Sequence, residues 1–171
     1  IVDWGENFVS VVTGGLHTVA LTALGTVIAW GANARGQLGD NSQTTQSSPV
    51  GPVLINVAAV YAGASSTCAV MSSTGSFRCW GDNSYAQLGI PATTPKLLAP
   101  PSFDVYTTVP IVSIAVGGAH ICILFLGGTL QCMGDSTRGQ LGLGTTVAQS
   151  SLNTVLTGVQ SVSADRSTTC A

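Results

Sequence analysis

Charge is the scarcest property of this sequence. Five Lys and Arg and seven Asp and Glu serve 171 residues, 7% of the chain, against roughly 25% in ordinary soluble proteins. The basic residues are four Arg and one Lys, and none of them cluster. Nucleic acid and anionic lipid need a basic face, so neither is an expected partner. Little charge also means little protection against self-association. No segment has the Glu/Lys/Ala/Leu mixture of a surface helix. The most apolar stretch, 111–126, is broken by Ser113, Gly117, Gly118 and His120 and is shorter than the ~20 residues of a membrane span. Ile1–Ser10 carries no signal-peptide pattern, so the start reads as mature or internal. Missing too are a Cys-x-x-Cys pair, an acidic calcium loop, a phosphate-binding Gly loop with Lys-Ser/Thr, and an Asn-x-Ser/Thr site. No cofactor, metal or small-molecule substrate is therefore expected.

What is present is hydrophobic residues at 45%, 21 Gly, and abundant Ser and Thr. That mixture suits short strands and tight turns, and the residues fall into repeats. The first unit has Gly14-Gly15-Leu16-His17-Thr18-Val19-Ala20, then Gly25-Thr26-Val27-Ile28-Ala29-Trp30-Gly31, then Gly36-Gln37-Leu38-Gly39. The second answers with Ala62 to Ala69, Gly75 to Gly81 and Ala86-Gln87-Leu88-Gly89, the third with Gly117 to Ile123, Gly128 to Gly134 and Gly139-Gln140-Leu141-Gly142. A fourth opens at Val162 and runs to Ala171. The Gln-Leu pairs step by 50 and 53 residues. Each unit reads as antiparallel strands about a Gly turn at Gly25, Gly75 or Gly128. A Gly-x-Asn turn follows at Asn33 and Asn83, where Asn is expected to take a positive φ; the third copy has Ser136. The expected fold is all-β, a β-propeller of three full repeats (about 8–57, 58–110 and 111–158) and the start of a fourth (159–171).

The pattern Gly-x-x-His-Thr-x-Ala-Leu, Gly-x-Val-x-x-Trp-Gly, Gly-Gln-Leu-Gly resembles the regulator of chromosome condensation repeat family. The likeness covers nearly the whole chain and implies part of a seven-bladed ring. Two departures stand out: Met133 replaces Trp in the third unit, and Ser66 replaces His in the second.

Cys68 and Cys79 flank the hairpin of the second unit, and Cys122 and Cys132 that of the third; the first unit has Val19 and Ala29 there. Facing strands bring Cβ atoms about 4.5–5.5 Å apart, close to disulfide geometry. Two intra-blade disulfides are expected, with buried free thiols and a zinc site as the alternatives. Disulfides imply an oxidising compartment, hence a secreted or cell-surface protein. Cys170 holds the first-cysteine position of the fourth unit without a partner, which reads as a chain cut within a longer propeller.

His17 and His120 share a repeat position and are expected to hydrogen-bond between strands or blades rather than to catalyse. Trp30, Trp80 and Met133, with Leu38, Leu88 and Leu141, are expected to pack between sheets. Asp40, Asp82 and Asp135 read as turn formers. The segment 90–110 departs furthest from the repeat. With Lys96, Phe103 and Tyr106 it is either a projecting contact loop or a plain Pro-rich linker.

The expected function is a non-enzymatic scaffold, extracellular, that binds a protein partner or self-assembles. A few blades alone leave sheet edges unpaired, and two copies closing one ring would cover them. The resemblance supplies two rivals. Some members of the family are guanine-nucleotide exchange factors for small GTPases and bind chromatin. Similar repeats also build a proteinaceous inhibitor of a secreted enzyme.

Overall fold

A computed structural model describes residues 7–94, 96–101, 105 and 107–171. The described residues form strands and turns with no helix. Blade 1 is a four-stranded antiparallel sheet, β1 (Phe8–Thr13), β2 (His17–Thr22), β3 (Val27–Gly31) and β4 (Gln46–Leu54), paired in sequence order. Blade 2 repeats it with β5 (Val57–Ala62), β6 (Ser66–Met71), β7 (Phe77–Asp82) and β8 (Lys96–Leu97). Blade 3 does so with β9 (Ile111–Val116), β10 (His120–Phe125), β11 (Leu130–Gly134) and β12 (Gln149–Leu156). A hairpin of β13 (Ser163–Asp165) and β14 (Thr168–Cys170) begins the fourth.

The first strands β1, β5, β9 and β13 each contact the next in line, as blades fanned about a shared axis require. The core lies between blades rather than within one. Val19, Leu21, Ala29 and Leu38 of blade 1 cluster with Val60, Ala69 and Trp80 of blade 2. Cys68, Phe77 and Leu88 of blade 2 cluster with Ile114, Ile121 and Met133 of blade 3. Leu124, Leu130 and Leu141 of blade 3 reach Val162 and Ala164 of the hairpin. A sheet buries both faces only against neighbours, which is why every residue of the central strands β6 and β10 is buried.

Gly25, Gly75 and Gly128 of the β2–β3-type turns all take positive φ, at 77°, 63° and 83°. Asn33 and Asn83 correct the expectation set for them. The positive φ after the third strand falls on Gly31 and Gly81, at 106° and 99°, while the Asn residues act through their side chains. The Asn33 carboxamide oxygen accepts from the Leu38 amide at 3.0 Å, and that of Asn83 from the Leu88 amide at 2.9 Å.

Candidate functional site

Strand direction divides each blade into two ends. One end carries the first hairpin turns and the Gln-Leu-Gly loops; the other carries the second hairpin turns and the links between blades. The Gln-Leu-Gly end is polar and internally braced. The buried Gln37, Gln87 and Gln140 side chains accept from the amides two residues earlier, Arg35, Tyr85 and Arg138, at 2.9, 3.0 and 2.9 Å. Gln87 and Gln140 also donate to Asp82 and Asp135 at 3.1 and 2.8 Å. Burial pulls the Asp40 carboxyl upward, but hydrogen bonds from Ser42, Asn33 and Gln46 outweigh it and hold the group below its usual 3.8.

With its side chain turned inward, Gln37 presents its backbone carbonyl to blade 2. The Thr67 hydroxyl donates to that oxygen at 2.8 Å and the Trp80 indole at 3.1 Å. His17 Nε2 stands 2.9 Å from the same Thr67 hydroxyl. The arrangement recurs one blade on: Thr169 donates to the Gln140 carbonyl at 2.8 Å, and His120 Nε2 lies 2.8 Å from Thr169. Both imidazoles are buried and lie on a glycine. A Cβ at Gly14 or Gly117 would fall 2.3 or 2.2 Å from the ring Cε1. Burial pushes the His17 pKa down from 6.5 to about 4. Burial also lowers that of His120, partly offset by the Asp135 charge.

The junction of blades 2 and 3 is built differently. Ser66 stands where the others have His, Ile121 where they have Thr, and Met133 where Trp80 stands. Three polar positions are exchanged together, so the polar and apolar junctions are alternative sets. Sequence reasoning missed Thr67, Thr169 and the Gln carbonyls. Their signal was Thr at one repeat position in units one, two and four.

The sequence-singled residues fall as follows. Trp80, Met133, Leu38, Leu88 and Leu141 are buried between blades, whereas Trp30 on the outward face of blade 1 is only half-buried. Disulfides join Cys68 to Cys79 and Cys122 to Cys132, directly opposed across β6–β7 and β10–β11. Cys170 is free and exposed. Lys96 does not sit on a projecting loop. It lies in β8 opposite Asp82, and its ammonium donates to Gln43 of blade 1. Leu98 follows and accepts from the Asn41 amide at 2.9 Å, so this stretch lies over the first Gln-Leu-Gly turn. Phe103 and Tyr106 lie outside the described residues.

The opposite end has another chemistry. Among the described residues its turns and links hold no charge; every described charged side chain except Arg78, within β7, belongs to the Gln-Leu-Gly end. Leu24 and Leu126, in the corresponding turns of blades 1 and 3, are 76% and 62% exposed, and Ile55 and Val109 are also exposed at this end. A hollow of about 290 Å³ opens there, lined by Thr107, Val109, Phe125, Leu126, Gln131 and Leu152 among others. No group of His, Cys, Asp and Glu among the described residues could hold a metal ion. No helix there is long and apolar enough to cross a membrane.

Comparison with known proteins follows the same repeats. The regulator of chromosome condensation repeat matches residues 8–37, 57–87 and 111–140. A second form of that repeat matches 25–70. The Regulator of chromosome condensation of Xenopus laevis is 33% identical over 150 residues, 83% of this chain and 34% of that protein. The human Probable E3 ubiquitin-protein ligase HERC6 is 32% identical over 131 residues, 74% of this chain and 13% of that protein. Yeast RCC1 (Prp20), solved bound to Kap60, superposes with a TM-score of 0.83 at 24% identity, over 97% of this chain and 41% of that one. The ectodomain of the Physcomitrella patens receptor kinase CR4 superposes with a TM-score of 0.55 at 22% identity, over 95% and 36%. The chain thus spans about a third of the length of the Xenopus relative. It belongs to the regulator of chromosome condensation repeat family, and its sheets are successive blades of a β-propeller.

Proposed function

We propose that the chain is a non-enzymatic protein-interaction scaffold and that its binding face is the turn end, where the described turns and links hold no charge. The observation that carries this reading is the exposure of Leu24, Ile55, Val109 and Leu126 at one end of the blades, Val109 and Leu126 lining an open hollow there. Exposed apolar side chains grouped at one end favour a protein partner with a complementary apolar surface. The absence of basic clusters disfavours nucleic acid. The yeast relative was solved bound to another protein, Kap60, and its binding to Gsp1p and histones has been examined, so a protein that contains blades of this type takes protein partners. We assign the chain to a larger ring of seven blades in an extracellular or cell-surface setting. The disulfides support the setting, and a receptor ectodomain shares the fold.

Affinity capture from the native source with wild-type chain and a Leu24→Asp/Leu126→Asp variant tests this reading. A specific protein retained by the wild type and lost by the variant supports it. Equal retention by a variant of unchanged stability sinks it. The 33% identity to a Regulator of chromosome condensation favours a second reading, nucleotide exchange on a small GTPase. Acceleration of nucleotide release across a GTPase panel would establish it, and no acceleration would retire it.

A further inference from the structure

The outer strands of blades 1 and 3 carry the same tripeptide, Gln-Ser-Ser, at the same register. Gln46 pairs with Gly31 and Val50 with Ala29; Gln149 pairs with Gly134 and Asn153 with Cys132. Three residues therefore stand against one in each sheet: Ser47, Ser48 and Pro49 against Trp30, and Ser150, Ser151 and Leu152 against Met133. A bulge of this kind frees residues from the ladder and re-aims their side chains. All four serines are exposed. Blade 1 has its following neighbour packed against it and blade 3 its preceding one. A position covered by either neighbour would be buried in one of the two blades, so the serine pair is covered by neither. Its hydroxyls have no partner among the described residues. By contrast, the hydroxyl of nearby Ser42 is spent on Asp40 at 3.0 Å, and that of Ser136 on the Thr145 carbonyl at 2.8 Å.

The same two strands lack charge at the rim. An outermost strand leaves N–H and C=O groups unpaired, and charged side chains commonly keep a second chain off them. β4 spans nine residues and β12 eight. No charged residue lies between Asp40 and Arg78, nor between Arg138 and Asp165. Pro49 and Pro52 interrupt β4, and β12 has no proline. Blade 2 is the contrast. Its β8 is two residues long, Lys96 stands in it opposite Asp82, and the stretch 90–101 holds no serine. Charge and the serine pair thus replace one another from blade to blade. An uncharged edge needs bulk and hydration, and an O-linked sugar supplies both. Ser and Thr gathered beside a proline, as in Thr44-Thr45-Gln46-Ser47-Ser48-Pro49, match the composition of O-glycosylated segments.

We propose that the serine pairs Ser47 with Ser48 and Ser150 with Ser151 are O-glycosylation sites that shield the outer edges of blades 1 and 3. The co-substrate is a sugar nucleotide. The serine oxygen attacks the anomeric carbon, and the bond from that carbon to the diphosphate breaks. The nucleoside diphosphate leaves, and the hydroxyl proton passes to a base of the transferase. The proposal rests on the extracellular setting proposed above. Its sites lie on the rim, so they hold or fail independently of the turn-end binding face.

The test uses the full chain from its native source, after secreted and surface material has been separated from the cell interior. Intact mass and sugar-preserving peptide fragmentation read the modification. The expected result is chain in the outer fraction with hexose or N-acetylhexosamine on both serine pairs. Ser47→Ala/Ser48→Ala should remove the sugar of blade 1 and leave that of blade 3, and Ser150→Ala/Ser151→Ala should do the converse. Enzymatic removal of the sugar should raise self-association, read by sedimentation; no change would overturn the shielding role. Bare serines on chain from the outer fraction would overturn the sites and leave the setting standing. Chain confined to the cell interior would overturn the setting, and the sites with it. Phosphate on these serines, or sugar spread equally over other exposed hydroxyls, would also overturn the proposal.

Discussion

The His17 Nε2 atom lies 2.9 Å from the hydroxyl of Thr67, fifty residues away in the next blade. The Thr67 hydroxyl spends its one proton on the Gln37 carbonyl at 2.8 Å, so it accepts from His17. That fixes the imidazole as the neutral Nε2–H tautomer and leaves Nδ1, buried and without a partner among the described residues, as the bare nitrogen. The His120–Thr169–Gln140 relay repeats each feature.

Replacing Thr67 with Val keeps the shape but strands the buried His17 N–H. The expected cost is about 1–3 kcal/mol, read by urea unfolding. Converting the junction to the set found between blades 2 and 3, with His17→Ser, Thr67→Ile and Trp80→Met together, should cost less than the sum of the three single changes. Strict additivity would show that the three positions do not act as a unit.

Acid should loosen the same junction. The folded-state His17 pKa of about 4 lies below the ordinary 6.5. The unfolded chain therefore binds the proton first as pH falls. The stability is fully present above about pH 6.5 and is lost progressively down to pH 4, by about 3 kcal/mol in all at 1.36 kcal/mol per pKa unit. Unfolding midpoints of wild type and His17→Ser between pH 7.5 and 4 check this, and the variant should show the smaller decline.

Much of the fold was legible because the repeat is written in residues with narrow physical roles. Glycines mark turns, and Leu38, Leu88 and Leu141 mark the inter-blade core. The facing positions of Cys68 with Cys79 and Cys122 with Cys132 follow from hairpin register. The relay was not legible, because half of it is main chain. The Gln37 carbonyl has no side-chain signature, and Thr67 looks like an ordinary strand residue. Nor did the sequence separate the role of Asn33 from that of Gly31. The expectation for 90–110 erred at Lys96 because a two-residue outer strand carries no periodicity.

Each disulfide closes a loop of ten or eleven residues, worth about 2–3 kcal/mol by loop-closure entropy. Replacing Cys68 with Val and Cys79 with Ala borrows the pair that blade 1 uses at the same register, Val19 opposite Ala29. The variant is expected to fold and to lose about that stability on denaturant unfolding. A loss under 0.5 kcal/mol would show that the bridge constrains little.

At the turn end, Leu24→Asp and Leu126→Asp alter exposed side chains and should shift stability by no more than about 0.5 kcal/mol. A larger loss by thermal unfolding would mean that these residues hold the blades together rather than face a partner.

The inter-blade relay is tested most directly by long-range ¹H–¹⁵N NMR of the two imidazoles at pH 7, across a titration to pH 4. The account predicts that His17 and His120 both carry the proton on Nε2 and keep Nδ1 bare, that His17 stays neutral down towards pH 4, and that His120 titrates below the ordinary 6.5. Protonation on Nδ1, or titration of both rings at the ordinary 6.5, would contradict it.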